Sequence, residues 1–154
     1  MNAANRSRIL EAHGLRGESL EPPATEAQLL AFEKLIAPIP ADVRWYLATC
    51  GGGRVGDERL DGYHALAMSH RRLAAGPWSI KSRDVFLVGW DATGGPIAVE
   101  RQTGRVLAED GFFGGIVVLA PSFEAFLLDG LVNGSRRWVS HPASRSASSI
   151  RRAP

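Results

Sequence analysis

Apolar positions along this chain recur with two different periods, and the change of period divides it. From Thr25 to Ala37, Leu29, Phe32 and Ile36 fall at i, i+3 and i+7, one stripe of a helix. Thr25 is a natural N-cap, Gln28 three residues later completes a capping box, and Pro38 and Pro40 end the segment. A second helix is predicted over 41–50, where Val43, Leu47 and Cys50 share a face with Tyr46 beside them. Asp42 stands in its first turn, where the helix dipole favours an acid, and Gly51-Gly52-Gly53 closes it. From residue 84 the pattern turns extended. Strands are predicted over 84–90, 96–101 and 105–109, joined by the turn Asp91-Ala92-Thr93-Gly94-Gly95 and a hairpin at Gln102-Thr103-Gly104. A glycine-flanked loop and a short strand over 116–120 follow. Phe123, Phe126, Leu127 and Leu131 then return to helical spacing, closed by Asn133-Gly134.

Elsewhere the pattern is weaker. Residues 1–24 give only a short helix over 6–13, ended by Gly14, before Glu21-Pro22-Pro23 breaks any continuation. Residues 60–66 read as containing a strand, 67–75 as a short helix, and Gly76-Pro77 as a break. Past Ser135 the chain is rich in Ser, Arg and Ala, the composition of a disordered tail. The expected organisation is a weakly structured segment 1–24, one domain over 25–133, and a basic tail over 134–154. Helices followed by hairpin-linked strands indicate an α+β fold with a largely antiparallel sheet.

With 154 residues, 45% apolar and 22% charged, the chain is long enough to bury a core unaided by disulfide or metal. Cys50 is the only cysteine, so no internal disulfide forms. No apolar run approaches the ~18 residues of a membrane span. The first residues lack the apolar stretch of a secretory signal, so a cytoplasmic location is expected. The sequence pI of about 9.1 is a property of one end. Residues 25–131 hold ten Lys and Arg against thirteen Asp and Glu, whereas 132–154 hold five arginines and no acid. A mildly acidic domain suits a basic protein partner better than nucleic acid.

Candidate chemistry is sparse. Gly51-Gly52-Gly53-Arg54-Val55-Gly56 fits the dinucleotide spacing, but a predicted helix precedes it where that motif needs a strand. It reads as a helix end and turn. Cys50 as a nucleophile needs a base, and His64 and His70 are the candidates in the domain. With Asp61 they match no standard zinc spacing. No cofactor, no metal and no catalysis are expected. Asp57, Glu58 and Asp61 form one acidic group, with Asp91 and Glu109-Asp110 as others. They read as a solvated surface or as a face for a basic partner. Phe112-Phe113 and Trp78 read as core packing or as interface anchors. The tail arginines read as solubilising or as contacts to nucleic acid.

The ordered pieces resemble the SUKH superfamily, which unites bacterial immunity proteins with fungal cell-wall-assembly regulators of the Smi/Knr type. Thr25 to Phe32-Glu33 resembles its opening helix, and Ile39-Pro40-Ala41-Asp42-Val43-Arg44-Trp45-Tyr46-Leu47 its Pro-led second helix. Phe86 to Val99 resembles its strand, acidic-glycine turn and strand; Thr103-Gly104-Arg105-Val106 its hairpin; Ser122-Phe123-Glu124-Ala125-Phe126-Leu127 its last helix. Cys50 and Pro96 depart from the family at two turns. The resemblance implies a six-stranded α+β fold with helices at both ends. For bacterial members it implies an antitoxin that occludes a protein partner, often a nuclease-type toxin. A non-catalytic regulatory or scaffolding module is the alternative. Asp57, Glu58, Asp61, Trp78, Asp91, Asp110, Phe112 and Phe113 are the candidate docking residues.

Overall fold

The computed structural model describes residues 1–16, 21–112 and 114–133. Its elements follow the two periods of the sequence. Helix α2 (Glu26–Leu35) starts at the capping box: Gln28 N–H donates to Thr25 Oγ1 at 3.3 Å and Thr25 N–H to Gln28 Oε1 at 2.8 Å. Helix α3 (Ala41–Cys50) ends at Gly51, whose φ of 83° lies where only glycine sits without strain. A Cβ at Gly51 would also meet the Glu21 carbonyl oxygen at 2.2 Å.

Six strands follow: β1 (Gly53–Val55), β2 (Glu58–Leu60), β3 (Val85–Trp90), β4 (Pro96–Glu100), β5 (Val106–Glu109) and β6 (Ile116–Ala120). Each pairs antiparallel with the next, so spatial order repeats chain order. The fold is α+β, as the alternation of periods required, with α5 (Phe123–Leu127) and a π turn (Leu128–Val132) closing it.

Three regions differ from expectation. Strand β1 occupies residues read as a helix end and turn, and β2 lies mostly ahead of the stretch read as containing a strand; the two pair around Gly56-Asp57, with Val55 opposite Glu58. Helix α4 (Tyr63–Ala75) takes the place of most of the strand expected over 60–66. Its first turn is capped from far away. The Glu21 carboxylate accepts the backbone N–H of His64 at 2.8 Å and of Ala65 at 3.3 Å, satisfying donors that local sequence leaves orphaned. Helix α1 (Ala3–Arg16) is longer than the one expected over 6–13, runs through Gly14, and buries Ile9 completely against the core. Asn5 Nδ2 donates to Glu124 at 2.8 Å, tying α1 to α5. The segment expected to be weakly structured is thus a docked layer from residue 3 to 16.

The sheet has two unequal sides. On one, Val55, Leu60, Phe86, Val88, Ile97, Val99, Val106 and Ala108 meet α1, α2, α3 and α5 in the main core. Tyr46 and Phe123 pack edge to face there, ring centroids 5.9 Å apart. On the other, Leu87, Trp90, Ala98 and Leu107 are covered by Leu73 of α4 and Ile80 of a 3-10 turn (Ser79–Ser82). Alternation along β3 would send Val88 and Trp90 to the same side. The register shifts between Leu87 and Gly89, and Trp90 joins Leu87 on the smaller side instead.

Candidate functional site

Because the strands alternate in direction, the β1–β2 turn, the β3–β4 turn and the β5–β6 loop all lie at one end of the sheet. That end gathers Asp57, Asp91, Asp110 and Phe112 from positions scattered over fifty-odd residues of sequence. The β3–β4 turn and the β5–β6 loop touch. A Cβ on Gly95 would stand 2.1 Å from the Glu109 carbonyl oxygen, and one on Gly111 3.3 Å from that of Thr93.

The acids are arranged differently from either reading of the sequence. Only Asp57 is exposed. Glu58, Asp61, Asp91, Glu109 and Asp110 are all buried. They hold the ends of elements. Asp91 Oδ1 accepts the N–H of Thr93 at 2.8 Å, the Thr93 hydroxyl at 2.7 Å and the N–H of Gly95 at 2.8 Å, which shapes the β3–β4 turn. Asp110 Oδ1 accepts the N–H of Phe112 at 2.8 Å. Glu109 Oε1 accepts the N–H of Ser79 at 3.0 Å and its hydroxyl at 2.8 Å, while Oε2 accepts the N–H of Ile80 at 2.7 Å. Burial would raise the Glu109 carboxyl, but these donors outweigh it and hold it below the usual range. Asp61 accepts the Ser69 hydroxyl at 2.5 Å, and desolvation pushes its carboxyl up. A solvated acidic face is therefore not formed: Glu58 is buried, Asp91, Glu109 and Asp110 accept turn N–H groups, and Asp61 accepts the Ser69 hydroxyl.

The aromatic candidates part ways. Phe112 is 77% exposed. Trp78 is half-buried over the smaller side of the sheet, its ring 6.2 Å from that of Trp90. Phe113 lies outside the described residues, as does the whole of 134–154.

The candidates for chemistry sit in different surroundings. The Cys50 thiol is buried and its pKa is pushed up to about 11, the reverse of an activated nucleophile. His70 donates Nε2–H to the Leu87 carbonyl at 3.2 Å, and its ring packs 4.8 Å from Phe86 and 5.5 Å from Phe32. Burial lowers its pKa. His64 is exposed at the start of α4, whereas Cys50 and Asp61 are buried. Among the described residues no three His, Cys, Asp or Glu side chains are grouped to hold a metal ion. Among them too, no helix is long and apolar enough to cross a membrane.

Sequence reading missed the arginines at this end. Arg54 of β1 lies directly opposite Arg59 of β2, and Arg59 opposite Trp90 of β3. All three project to the smaller side of the sheet, away from Val55 and Leu60. Arg72 of α4 places its guanidinium 4.0 Å above the centre of the Trp90 ring. Arg54, Asp57, Arg59, Trp90, Asp91 and Ala92 line a cleft of about 280 Å³. The signal was present: Gly53-Arg54-Val55-Gly56-Asp57-Glu58-Arg59-Leu60 alternates polar and apolar around a Gly-Asp turn, a hairpin pattern. Neither a protein-family model nor a curated protein sequence matches this chain.

Proposed function

We propose that this chain is a stoichiometric binding protein of the SUKH type, an immunity protein that neutralises a toxin by occluding it. The observation that carries the reading is the order of elements: three N-terminal helices of which the third is Pro-led, a six-stranded meander with α4 inserted after its second strand, and a closing amphipathic helix. Its six strands, with helices at both ends, agree with what the resemblance implies; α1 and α4 are additional to it. The chemistry supports it as well, since the one thiol is buried with a raised pKa and His70 is engaged with the Leu87 carbonyl. Occlusion asks for a rigid surface only, and the sheet end offers one: its β3–β4 turn and β5–β6 loop are held by buried Asp91 and Asp110.

The acidic docking face is not retained in this proposal, because four of its five carboxylates face inward. The test is co-expression of the chain with the product of the neighbouring gene in a host that this product kills. Restored growth with a 1:1 complex on gel filtration supports the proposal. A toxic neighbour left unrestrained at equal expression, with no complex, overturns it.

A further inference from the structure

We infer that the edge strand β6 pairs with β6 of a second copy of this chain, antiparallel about a two-fold axis at Val117, joining two sheets into one. This self-pairing does not depend on the antitoxin reading.

Three observations support it. The first is where the backbone groups of β6 point. Asp110 N–H donates to the Gly115 carbonyl at 3.1 Å, which makes these two a hydrogen-bonded pair across β5 and β6. Pairs along an antiparallel ladder alternate between bonded and unbonded. Ala108 and Val117 are therefore the next bonded pair. Ile116, opposite Glu109, and Val118, opposite Leu107, turn their N–H and C=O groups away from β5. Strand β6 ends the sheet, and among the described residues no backbone group outside the sheet bonds to Ile116 or Val118.

The second is the difference between the two sheet edges. At the other edge the π turn closes on β1: a Cβ on Gly130 would stand 2.9 Å from the carbonyl carbon of Val55 and 3.1 Å from the Gly56 nitrogen. Strand β6 lacks the side chains that keep strand edges apart. Ile116-Val117-Val118-Leu119-Ala120 has no charge and no proline, and residues 111–122 hold no charged side chain. The register shift opposite Val106 and Leu107 falls past Val118 and leaves 116–118 in regular pairing.

The third is incomplete burial on both sides. Every residue of β5 is buried, whereas in β6 only Ala120 is, and Val118 is 54% exposed. Val117 and Leu119 lie partly covered against the main core, and Ile116 against the smaller one. A strand laid alongside covers both sides at once.

The chemistry of this edge selects its occupant. Donors and acceptors recur at every second residue, the repeat of an extended chain, so an extended chain satisfies them. A charged strand would lose hydration against Ile116 and Val118 with no opposite charge among residues 111–122 to receive it. A second β6 is both extended and uncharged. About a two-fold axis at Val117, Ile116 of each copy falls opposite Val118 of the other, and each such pair exchanges two N–H···O bonds. The contact is isologous and closes at the dimer.

Sedimentation equilibrium of the full chain tests this. A pairing this short belongs with weak, transient interfaces, so the average mass should climb from one chain, 16.6 kDa, towards two between about 10 µM and about 1 mM. Over that range the outward amides of Ile116 and Val118 should exchange with solvent several-fold more slowly. Val118→Lys puts a charge into the pairing and should raise the dissociation constant about tenfold or more. Val118→Pro is the second variant should the lysine impair folding. It removes the outward N–H and no β5 ladder bond, a change that strand edges tolerate, and it should weaken the dimer likewise.

A wild type that remains a single chain at about 1 mM overturns the inference, as does association left unchanged by both variants. So does slowed exchange elsewhere with Ile116 and Val118 unaffected. A monomeric chain whose complex with the neighbouring gene's product is lost in Val118→Pro gives this edge to that partner and also ends the self-pairing.

Discussion

The Ser69 hydroxyl donates to the buried Asp61 carboxylate at 2.5 Å, and both side chains lie beneath helix α4. The same oxygen accepts the indole N–H of Trp90 at 2.9 Å. One hydroxyl thus links the residue that precedes α4, the helix itself and the end of β3. It also fixes the Trp90 ring on which Arg72 rests.

Removing that hydroxyl by Ser69→Ala leaves a buried carboxylate and a buried indole N–H without their shared partner. The expected loss is about 1–3 kcal/mol, the penalty of an unsatisfied buried polar group. Urea denaturation at neutral pH measures it. A change within 0.5 kcal/mol, as for an ordinary surface substitution, would mean that the link contributes nothing.

Asp61 also sets a pH dependence. Its folded-state pKa is raised above 3.8, chiefly by desolvation. The fold therefore favours the protonated form. That contribution is fully present below about pH 3.8 and is lost as pH climbs through the raised value. Relative to Asp61→Asn, which cannot ionise, the wild type should lose stability as pH rises from 3 towards 7. Parallel stability profiles for the two proteins would show that the burial of Asp61 is not felt by its charge.

Glu109 works in the opposite sense. Its pKa is held below 4.5 because, against the effect of burial, the Ser79 and Ile80 donors favour the carboxylate. Its contribution is present above the unfolded value and fades as pH falls through the folded one. Glu109→Gln should cost about 1.5–3 kcal/mol at pH 7, the worth of hydrogen bonds to a charged group. The deficit should shrink towards pH 3. Chemical denaturation at the two pH values checks both the size and the sign.

These carboxylates also show where sequence reading stops. Helices α2 and α3 and strands β3 to β5 were legible because their signals are local: a capping box at Thr25 and Gln28, a closing Gly51, alternation from Phe86 to Val99. Helix α4 was misjudged because its cap, Glu21, lies more than forty residues away. Helix α1 was underestimated because the core that buries Ile9 is built from elements far along the chain. The acidic residues were misread because an Asp at a turn and an Asp on a surface look alike in sequence. Only the neighbouring N–H groups of Gly95 and Phe112 distinguish them. The side on which Trp90 lies depends on a register shift in β3 that no periodicity announces.

The docking of α1 can be tested at its one fully buried apolar side chain. Ile9→Ala removes three carbons from a site with no solvent exposure, packed with the main core. A loss of about 2–5 kcal/mol is expected, with urea unfolding still a single transition. Leu15→Ala, on the same helix but 82% exposed, should change stability by no more than about 0.5 kcal/mol. If the two variants behave alike, residues 3–16 are not part of the cooperative unit.

Gly95 tests the contact between the two turns that carry the sheet end. A methyl group there would stand 2.1 Å from the Glu109 carbonyl oxygen and 2.9 Å from Asp91 Oδ2. The carbonyl belongs to a strand paired on both sides and cannot move away alone. Gly95→Ala should therefore destabilise by about 1–3 kcal/mol or more through forced backbone displacement. Gly104 is the control. Its φ of 73° strains an alanine by about 1–2 kcal/mol, yet a Cβ there meets nothing within 4 Å. Gly95→Ala should move the amide signals of Glu109 and Asp110 as well as those of its own turn, whereas Gly104→Ala should disturb its own hairpin alone. Amide spectra of the two variants separate a steric contact between loops from a purely local backbone strain.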